Sequence, residues 1–161
     1  MYEGPIIISL KTSIVSTIIV SILGILLANL LLRREGKLKN FFESAIMLPL
    51  FMPPSLIGYI LLMIIGKRSF IGSFLYEYFD FTFIFTWYGA VIAAVITSLP
   101  IMYGSAKGAL LSIDDTYKEV AADLGATKFQ TFYKVTLPLA SKGILSGMVL
   151  SYARCFGDRK S

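Results

Sequence analysis

Three long runs without a charged residue constrain this sequence most. They comprise 21 residues from Thr12 to Leu32, 23 from Ser44 to Gly66 and 26 from Phe81 to Ala106. A helix needs about 20 apolar residues to cross the hydrocarbon of a bilayer, so each run is long enough to span a membrane. Only 16% of the 161 residues are charged, whereas an ordinary soluble domain carries about 25%. The sequence therefore predicts an all-α fold, a polytopic bundle of membrane helices that forms one domain over residues 1–161.

A fourth apolar run is shorter than the first three, and whether it can span a membrane depends on the residues beside it. Gly143–Ala153 holds 11 uncharged residues, and it reaches spanning length only with Lys142 placed at the interface. We predict spans at about 12–32, 44–66, 81–106 and 138–156. A cleaved signal peptide is the alternative for the first of them. One lysine precedes that run and four basic residues follow it within the next loop, which favours a retained span.

The basic residues predict an orientation. Loops 33–43 and 107–142 together hold nine Lys and Arg, whereas loop 67–80 and the N-terminal segment hold three. Cytoplasmic loops of membrane proteins are enriched in Lys and Arg, so the N-terminus is predicted outside and loops 33–43 and 107–137 cytoplasmic. Arg154, Arg159 and Lys160 would then follow the fourth span on the outer side, which does not fit this rule.

Loop 67–80 carries apolar residues at helical spacing, from Phe70 to Phe79. This pattern predicts a helix lying in the outer interface. The alternative is that the third span begins earlier and includes these residues.

Composition excludes several kinds of chemistry. The chain has no His and a single Cys, which excludes a disulfide framework, a Cys/His zinc site and His-dependent catalysis. The first three runs contain no ionisable residue, so proton- or sodium-driven transport and membrane-embedded catalysis lack their usual groups. We therefore expect no enzyme activity, no metal and no directly bound cofactor.

Prolines and hydroxyl residues mark a candidate translocation pathway. Each proline removes a backbone donor and frees a carbonyl one turn earlier, and those groups need protein or water in a membrane. The alternatives are harmless kinks, and hydroxyls bonded to their own helix. The candidate residues are Pro49, Pro53, Pro54 and Ser55 in the second span, and Thr97, Ser98 and Pro100 in the third.

The loop from Asp114 to Pro138 carries ordered-helix signals. Thr116 and Glu119 match a capping box that would start a helix near Tyr117, and Gly125 follows two turns later as a left-handed cap. A second box, Thr127–Gln130, precedes the apolar stripe Phe129, Phe132 and Tyr133, and Pro138 closes the segment. The prediction is a short helix, a glycine turn and an interfacial helix. The first helix would pack into a groove of another protein, or else remain a solvated loop.

The same loop resembles the EAA loop of ABC-importer permeases. The segment E-V-A-A-D-L-G, then nine residues and V-T-L-P, matches that family's spacing, with only Val120 departing from the usual alanine. The resemblance implies contact with a partner ATPase through this loop. The residues so assigned are Glu119, Val120, Ala121, Ala122, Asp123, Gly125, Leu137 and Pro138.

Within that superfamily, residues 6 to 157 are similar to the molybdate permease branch. The stretches that carry the similarity are L-P-L-F-M-P-P-S-L-I-G-Y, F-T-W-Y-G-A-V-I-A-A, P-I-M-Y-G-S-A-K-G-A-L and L-P-L-A-S-K-G-I-L-S-G. Sulfate and tungstate permeases share part of it. The resemblance implies a multi-pass permease subunit in a prokaryotic cell membrane that imports a tetrahedral oxyanion, most closely molybdate.

Such permeases work as homodimers with cytoplasmic ABC ATPase subunits and an extracytoplasmic oxyanion-binding protein. The resemblance implies that ATP is bound by the ATPase, and this chain has no phosphate-binding G-x-x-x-x-G-K-[ST] motif. The lack of Arg or Lys deep in the spans agrees with a low-affinity passage.

The family pattern continues beyond the A-R-x-x-G-[E/D] motif at Ala153–Asp158, whereas this sequence reads Arg159, Lys160 and Ser161. This departure leads to the expectation of a C-terminally shortened permease. The alternative function is then a non-transporting fragment that acts as a structural or interfering membrane subunit.

Overall fold

The computed structural model describes residues 5–65 and 87–157, and every regular element within those two ranges is helical. The elements in chain order are α1 (Pro5–Leu32), α2 (Lys37–Phe51), α3 (Pro54–Ile65), α4 (Trp87–Leu111), α5 (Asp115–Asp123), α6 (Lys128–Thr131), a π-helical segment (Phe132–Thr136) and α7 (Leu137–Gly157). The fold class is therefore all-α, as predicted. The expected interfacial helix at 70–79 and the first residues of the third predicted span lie outside the described ranges.

Helices α1 and α4 run parallel and are long enough to cross a bilayer. With 28 and 25 residues, they measure about 42 and 38 Å at a rise of 1.5 Å per residue. Near their first turns, Lys11 Nζ lies 5.9 Å from the centroid of the Trp87 ring. Farther along, Gly24 of α1 lies directly against Met102 of α4. Both helices are apolar enough over this length to be membrane spans.

Helix α7 packs antiparallel to α4 through small residues. A Cβ atom built on Gly143 would lie 2.5 Å from Ala109 Cβ, and one on Gly147 would lie 2.6 Å from Ser105 Cβ. At the far end of the same contact, Cys155 Sγ lies 3.1 Å from Ser98 Oγ. Small residues at spacing of four allow two helix backbones to approach closely, which is the usual packing between membrane helices.

The buried face of α1 is also small and polar. It carries Thr12, Ser13, Ser16, Thr17 and Ser21. The Thr17 hydroxyl donates to Ser13 O and the Ser21 hydroxyl to Thr17 O, both at 2.7 Å. The Thr17 and Ser21 hydroxyls are therefore satisfied within their own helix, whereas the buried Ser16 Oγ has no hydrogen-bond partner among the described residues. The outward faces of the helices carry exposed Ile, Leu and Val side chains, which is the surface that lipid requires.

The second predicted span is divided into two helices. Helix α2 begins at Lys37, earlier than the apolar run, and ends at Phe51. Met52 is extended, with φ −91° and ψ 140°, and α3 begins at Pro54. A residue before a proline avoids the helical region, and Pro54 suits the first helical position because it needs no donor there. Pro49 lies inside α2 without ending it.

The helix of the third predicted span extends beyond the uncharged run. Helix α4 continues past Ala106 and Lys107 to Leu111, so its last residues are the first residues of the predicted loop 107–137. The turn of α4 that follows the apolar run contains Lys107, which forms an ion pair with Glu43 of α2. Helix α7 covers the fourth predicted span with 21 residues, but α1 and α4 alone among the described helices combine spanning length with sufficient apolarity.

Candidate functional site

One end of the bundle gathers the two basic loops. Glu43 of α2 accepts hydrogen bonds through one carboxylate oxygen from Lys107 Nζ at 2.7 Å and from the Tyr103 hydroxyl at 2.8 Å. Because α2 starts and α4 ends at this level, residues 33–36 and 112–136 lie at the same end. Lys11 and Trp87 lie at the opposite end. This end, which holds residues 33–36 and 112–136, is called the basic end below.

Helix α5 begins with a cap that differs from the predicted one. The Asp114 carboxylate accepts from the Thr116 amide at 2.9 Å and from the Thr116 hydroxyl at 2.6 Å. These two hydrogen bonds hold the pKa of Asp114 below its usual value, with the hydroxyl the larger cause. The predicted Thr116–Glu119 capping box is therefore wrong, and α5 starts at Asp115 rather than near Tyr117. Asp114 is as good a cap as Thr, and the end of α4 at Leu111 lets the next helix begin earlier.

Gly125 ends α5 as predicted. Its φ is +79°, in the left-handed region that favours glycine. The Gly125 amide donates to Ala122 O at 2.9 Å and the Ala126 amide to Ala121 O at 3.0 Å. These two bonds form a Schellman motif, which satisfies the last carbonyls of α5 and turns the chain sharply.

The predicted capping box at Thr127 and Gln130 is confirmed. The Thr127 amide donates to Gln130 Oε1 at 2.9 Å, and the Gln130 amide donates to Thr127 Oγ1 at 3.3 Å. The helix that follows is not a separate interfacial element closed by Pro138, so that prediction is wrong. It continues through the π-helical segment into α7.

The π-helical segment explains how a proline is accommodated there. The Leu137 amide donates to Phe132 O, five residues back. Pro138 cannot donate and its ring crowds the carbonyl one turn earlier, and a wider π turn just before it relieves both constraints. Leu137 and Pro138 therefore lie within one continuous helical rod from Lys128 to Gly157.

Helix α5 has two unlike faces. Ala121 is buried against the bundle, whereas Glu119, Ala122, Asp123 and Gly125 are exposed. On the outward side Tyr117, Val120 and Leu124 are 55%, 52% and 83% exposed. We call these three residues the coupling face. Tyr117 and Leu124 were not among the predicted site residues, although their spacing of three and four from Val120 places them on one side of a helix.

The predicted pathway residues fall into two separate groups. Thr97, Ser98 and Pro100 are buried between the helices of this chain, and the Thr97 hydroxyl donates to Ala94 O at 3.1 Å. Pro53 and Ser55 are exposed at the junction of α2 and α3, and Pro49 is half-buried. The structure does not bring the two groups to one surface within this chain.

Arg154 is a basic residue in the last turn of α7, the helix that covers the fourth predicted span. It precedes Cys155, whose Sγ contacts Ser98 well inside the length of α4 rather than at its first turn. The Arg154 Nε atom is buried, and it has no hydrogen-bond partner in the part of the chain that the structure describes.

The sequence matches the family model described as binding-protein-dependent transport system inner membrane component, over residues 20–158. It is 40% identical over 153 residues to the molybdenum transport system permease protein ModB of Escherichia coli, and 38% identical over 136 residues to that of Haemophilus influenzae. The sulfate transport system permease protein CysT of Salmonella typhimurium is 30% identical over 151 residues.

These alignments cover 95%, 84% and 94% of this chain, respectively. They cover 67%, 59% and 54% of the three relatives. The chain thus spans between about half and two thirds of the length of these relatives.

Proposed function

Because the chain belongs to the family of binding-protein-dependent transport system inner membrane components, we propose that it is the permease subunit of an ATP-driven molybdate importer. The relatives whose names refer to molybdenum share 40% and 38% of aligned residues with it, against 30% for the sulfate permease protein. This difference favours molybdate as the transported oxyanion.

The observation that carries the coupling part of this proposal is the coupling face on α5. A short water-exposed helix gains nothing by presenting Leu124 at 83% exposure beside Val120 and Tyr117, unless another surface covers them. An apolar ridge on one face of a helix fits a groove on a partner protein. We assign that partner as the cytoplasmic ABC ATPase subunit. Glu119 and Asp123 border the face and supply polar contacts at its rim.

The connection between α5 and the membrane part is short and hydrogen-bonded throughout. The Schellman motif at Gly125 and the Thr127–Gln130 capping box fix the angle between α5 and the rod that begins at Lys128. That rod packs against α4 through Gly143 and Gly147. Movement of α5 with the ATPase would therefore be transmitted to the α4–α7 pair, rather than be absorbed by a flexible loop.

The pathway is proposed to lie between two copies of the permease, along the exposed junction of α2 and α3. Pro49, Pro53, Pro54 and Ser55 belong to this junction, where the chain is extended at Met52. The three prolines have no backbone N–H to donate, so carbonyls one turn earlier lose a helical partner, and a water-filled passage between two copies would satisfy those carbonyls. Thr97, Ser98 and Pro100 then pack inside the bundle and do not line the pathway.

The orientation follows from the basic end. The basic end carries Arg33, Arg34 and the lysines of residues 112–136, and Lys37 begins α2 beside it, so the positive-inside rule favours the cytoplasm for this end. The end with Lys11 and Trp87 then faces outward, where the oxyanion-binding protein would deliver its substrate.

The experiment is co-purification of the ATPase subunit with the permease in detergent. Leu124→Glu places a charge at the centre of the coupling face, and we expect it to abolish co-purification without preventing membrane insertion. Phe129→Glu is the matched control, because Phe129 is 75% exposed in the same loop but lies off that face. Normal co-purification with Leu124→Glu, or equal loss in both variants, would contradict docking through the coupling face.

A further inference from the structure

A groove of about 440 Å³ lies at the basic end, on the side of α5 opposite the coupling face. It is enclosed by the last turns of α1 and α4, by α5 and by the rod that begins at Lys128. This volume is within the range of sites for small molecules, about 300–1,000 Å³. Its polar lining includes Arg33, Asp115, Lys118, Lys128, Thr131 and Thr136.

The lining is positively charged. Lys118 Nζ pairs with Asp115 at 2.6 Å, which leaves Arg33 and Lys128 as the other two charged groups of the groove. Neither forms an ion pair with any residue in the two ranges that the structure describes. Arg33 is held in place at the end of α1, because its Nε donates to Asn29 Oδ1 at 3.2 Å. The groove therefore presents two uncompensated cations beside two threonines.

The groove lies at the ends of the two long apolar helices, α1 and α4. Leu32 and Leu111 also line it, and these residues end the two long apolar helices. Leu111 is 62% exposed. The groove thus opens where the lipid-facing surface of α1 and α4 gives way to charged residues, at the depth of lipid headgroups.

We propose that this groove binds the phosphate-bearing headgroup of an anionic phospholipid from the adjacent leaflet. The phosphate lies between Arg33 and Lys128, and the acyl chains run along the exposed apolar surface beside Leu32 and Leu111. Basic pockets between membrane helices at the headgroup level recognise anionic lipids in this way. The bound headgroup braces α5 from the membrane side and leaves the coupling face free.

The test measures lipid retention by native mass spectrometry after purification from nanodiscs of phosphatidylcholine with increasing phosphatidylglycerol. We expect the protein to retain phosphatidylglycerol selectively. Arg33→Gln with Lys128→Gln should weaken that retention by roughly 30-fold, since each basic residue near the headgroups contributes about fivefold. Lys37→Gln with Lys134→Gln is the matched control, because it removes the same charge from exposed positions outside the groove.

Two further measurements separate loss of charge from misfolding, and lipid binding from binding of free phosphate. Arg33→Lys with Lys128→Arg preserves the charge and should retain the lipid, which separates loss of charge from misfolding. Inorganic phosphate at 10 mM, a concentration of roughly the order that competes with weak anion sites, should not displace the lipid; if it does, the site takes free phosphate and the lipid proposal is wrong. Equal retention by the groove and control variants would also overturn it. Co-purification of the ATPase is scored separately, so failure of docking and failure of lipid binding are distinguishable.

Discussion

At the scale of single residues, Gly125 decides how the loop at the basic end is shaped. It combines a φ of +79° with the two hydrogen bonds of the Schellman motif. Apart from its two chain neighbours, no described residue has an atom within 4 Å of the position that a Cβ would take. A side chain there would therefore meet a conformational penalty but no collision. The effect of a substitution should follow from backbone preference alone.

This gives a direct prediction for two variants. Gly125→Val should destabilise the turn by about 1–2 kcal/mol, because a β-branched residue resists the left-handed region. Gly125→Asn should be tolerated far better, since Asn adopts that region readily. Co-purification of the ATPase measures both, with insertion into the membrane as the control. Equal docking by the two variants would contradict the role of the turn.

The residues of this loop also show what local sequence can and cannot predict. Gly125 and the Thr127–Gln130 box were predicted correctly, because each depends on hydrogen bonds within a few residues. The first cap was misassigned to Thr116, because Asp114 and Thr116 are both good caps. The choice depended on where α4 ends, at Leu111, which the local sequence does not specify.

At the scale of helices, the contact between α4 and α7 depends on matched small residues. Gly143 and Gly147 on α7 face Ala109 and Ser105 on α4 at distances that leave no room for a methyl group. In lipid, helices associate through close packing rather than through the hydrophobic effect. This interface holds α7, into which the loop continues, against α4.

Alanine substitutions test this interface. Gly147→Ala should destabilise the bundle by about 1–3 kcal/mol, because the added methyl overpacks a tight contact. Gly108→Ala is the control on the neighbouring helix, since its Cβ would meet no atom within 4 Å. It should be neutral or stabilising by about 0.5–1 kcal/mol through helix propensity. Thermal unfolding in detergent compares them, and equal stability of the two variants would argue against the close contact.

The positions of the helices were more predictable than the contacts between them. Uncharged runs located α1 and α4, and the prolines located a break in the second run. The sequence did not show that Met52 and Pro53 would form the break while Pro49 stays helical, because that depends on pre-proline strain at two adjacent positions. The pairing of α4 with α7 was also missed, since small residues give no periodic hydrophobic signal.

At the scale of the whole molecule, the helices bring the two loops rich in Lys and Arg to one end. Residues 33–36 and 112–136 share the basic end, and Lys11 and Trp87 lie at the other. The sequence predicted this grouping of loops from charge alone. The groove was beyond prediction, because its lining comes from α1, α4, α5 and the rod that begins at Lys128. The coupling face lies on α5 alone, and the helical spacing of its residues could have shown it.

Cysteine labelling in intact cells tests the orientation of these ends. In a Cys155→Ala background, a membrane-impermeant maleimide should not modify a cysteine placed at Ser112. A cysteine at Ser73, in a loop that charge counting places outside, should be modified. Permeabilised cells provide the control in which Ser112 becomes reactive. Modification of Ser112 in intact cells would reverse the orientation and remove the basis for ATPase docking.

The most direct test of the central claim is uptake of labelled molybdate by proteoliposomes that contain this protein, its ATPase and its binding protein. We predict uptake that requires ATP inside, exceeds uptake of sulfate, and falls to background with Gly125→Val but persists with Gly125→Asn. An inactive ATPase variant sets the background. ATP-independent uptake, or uptake that Gly125→Val leaves unchanged, would contradict the account of an ATP-driven molybdate permease coupled through α5.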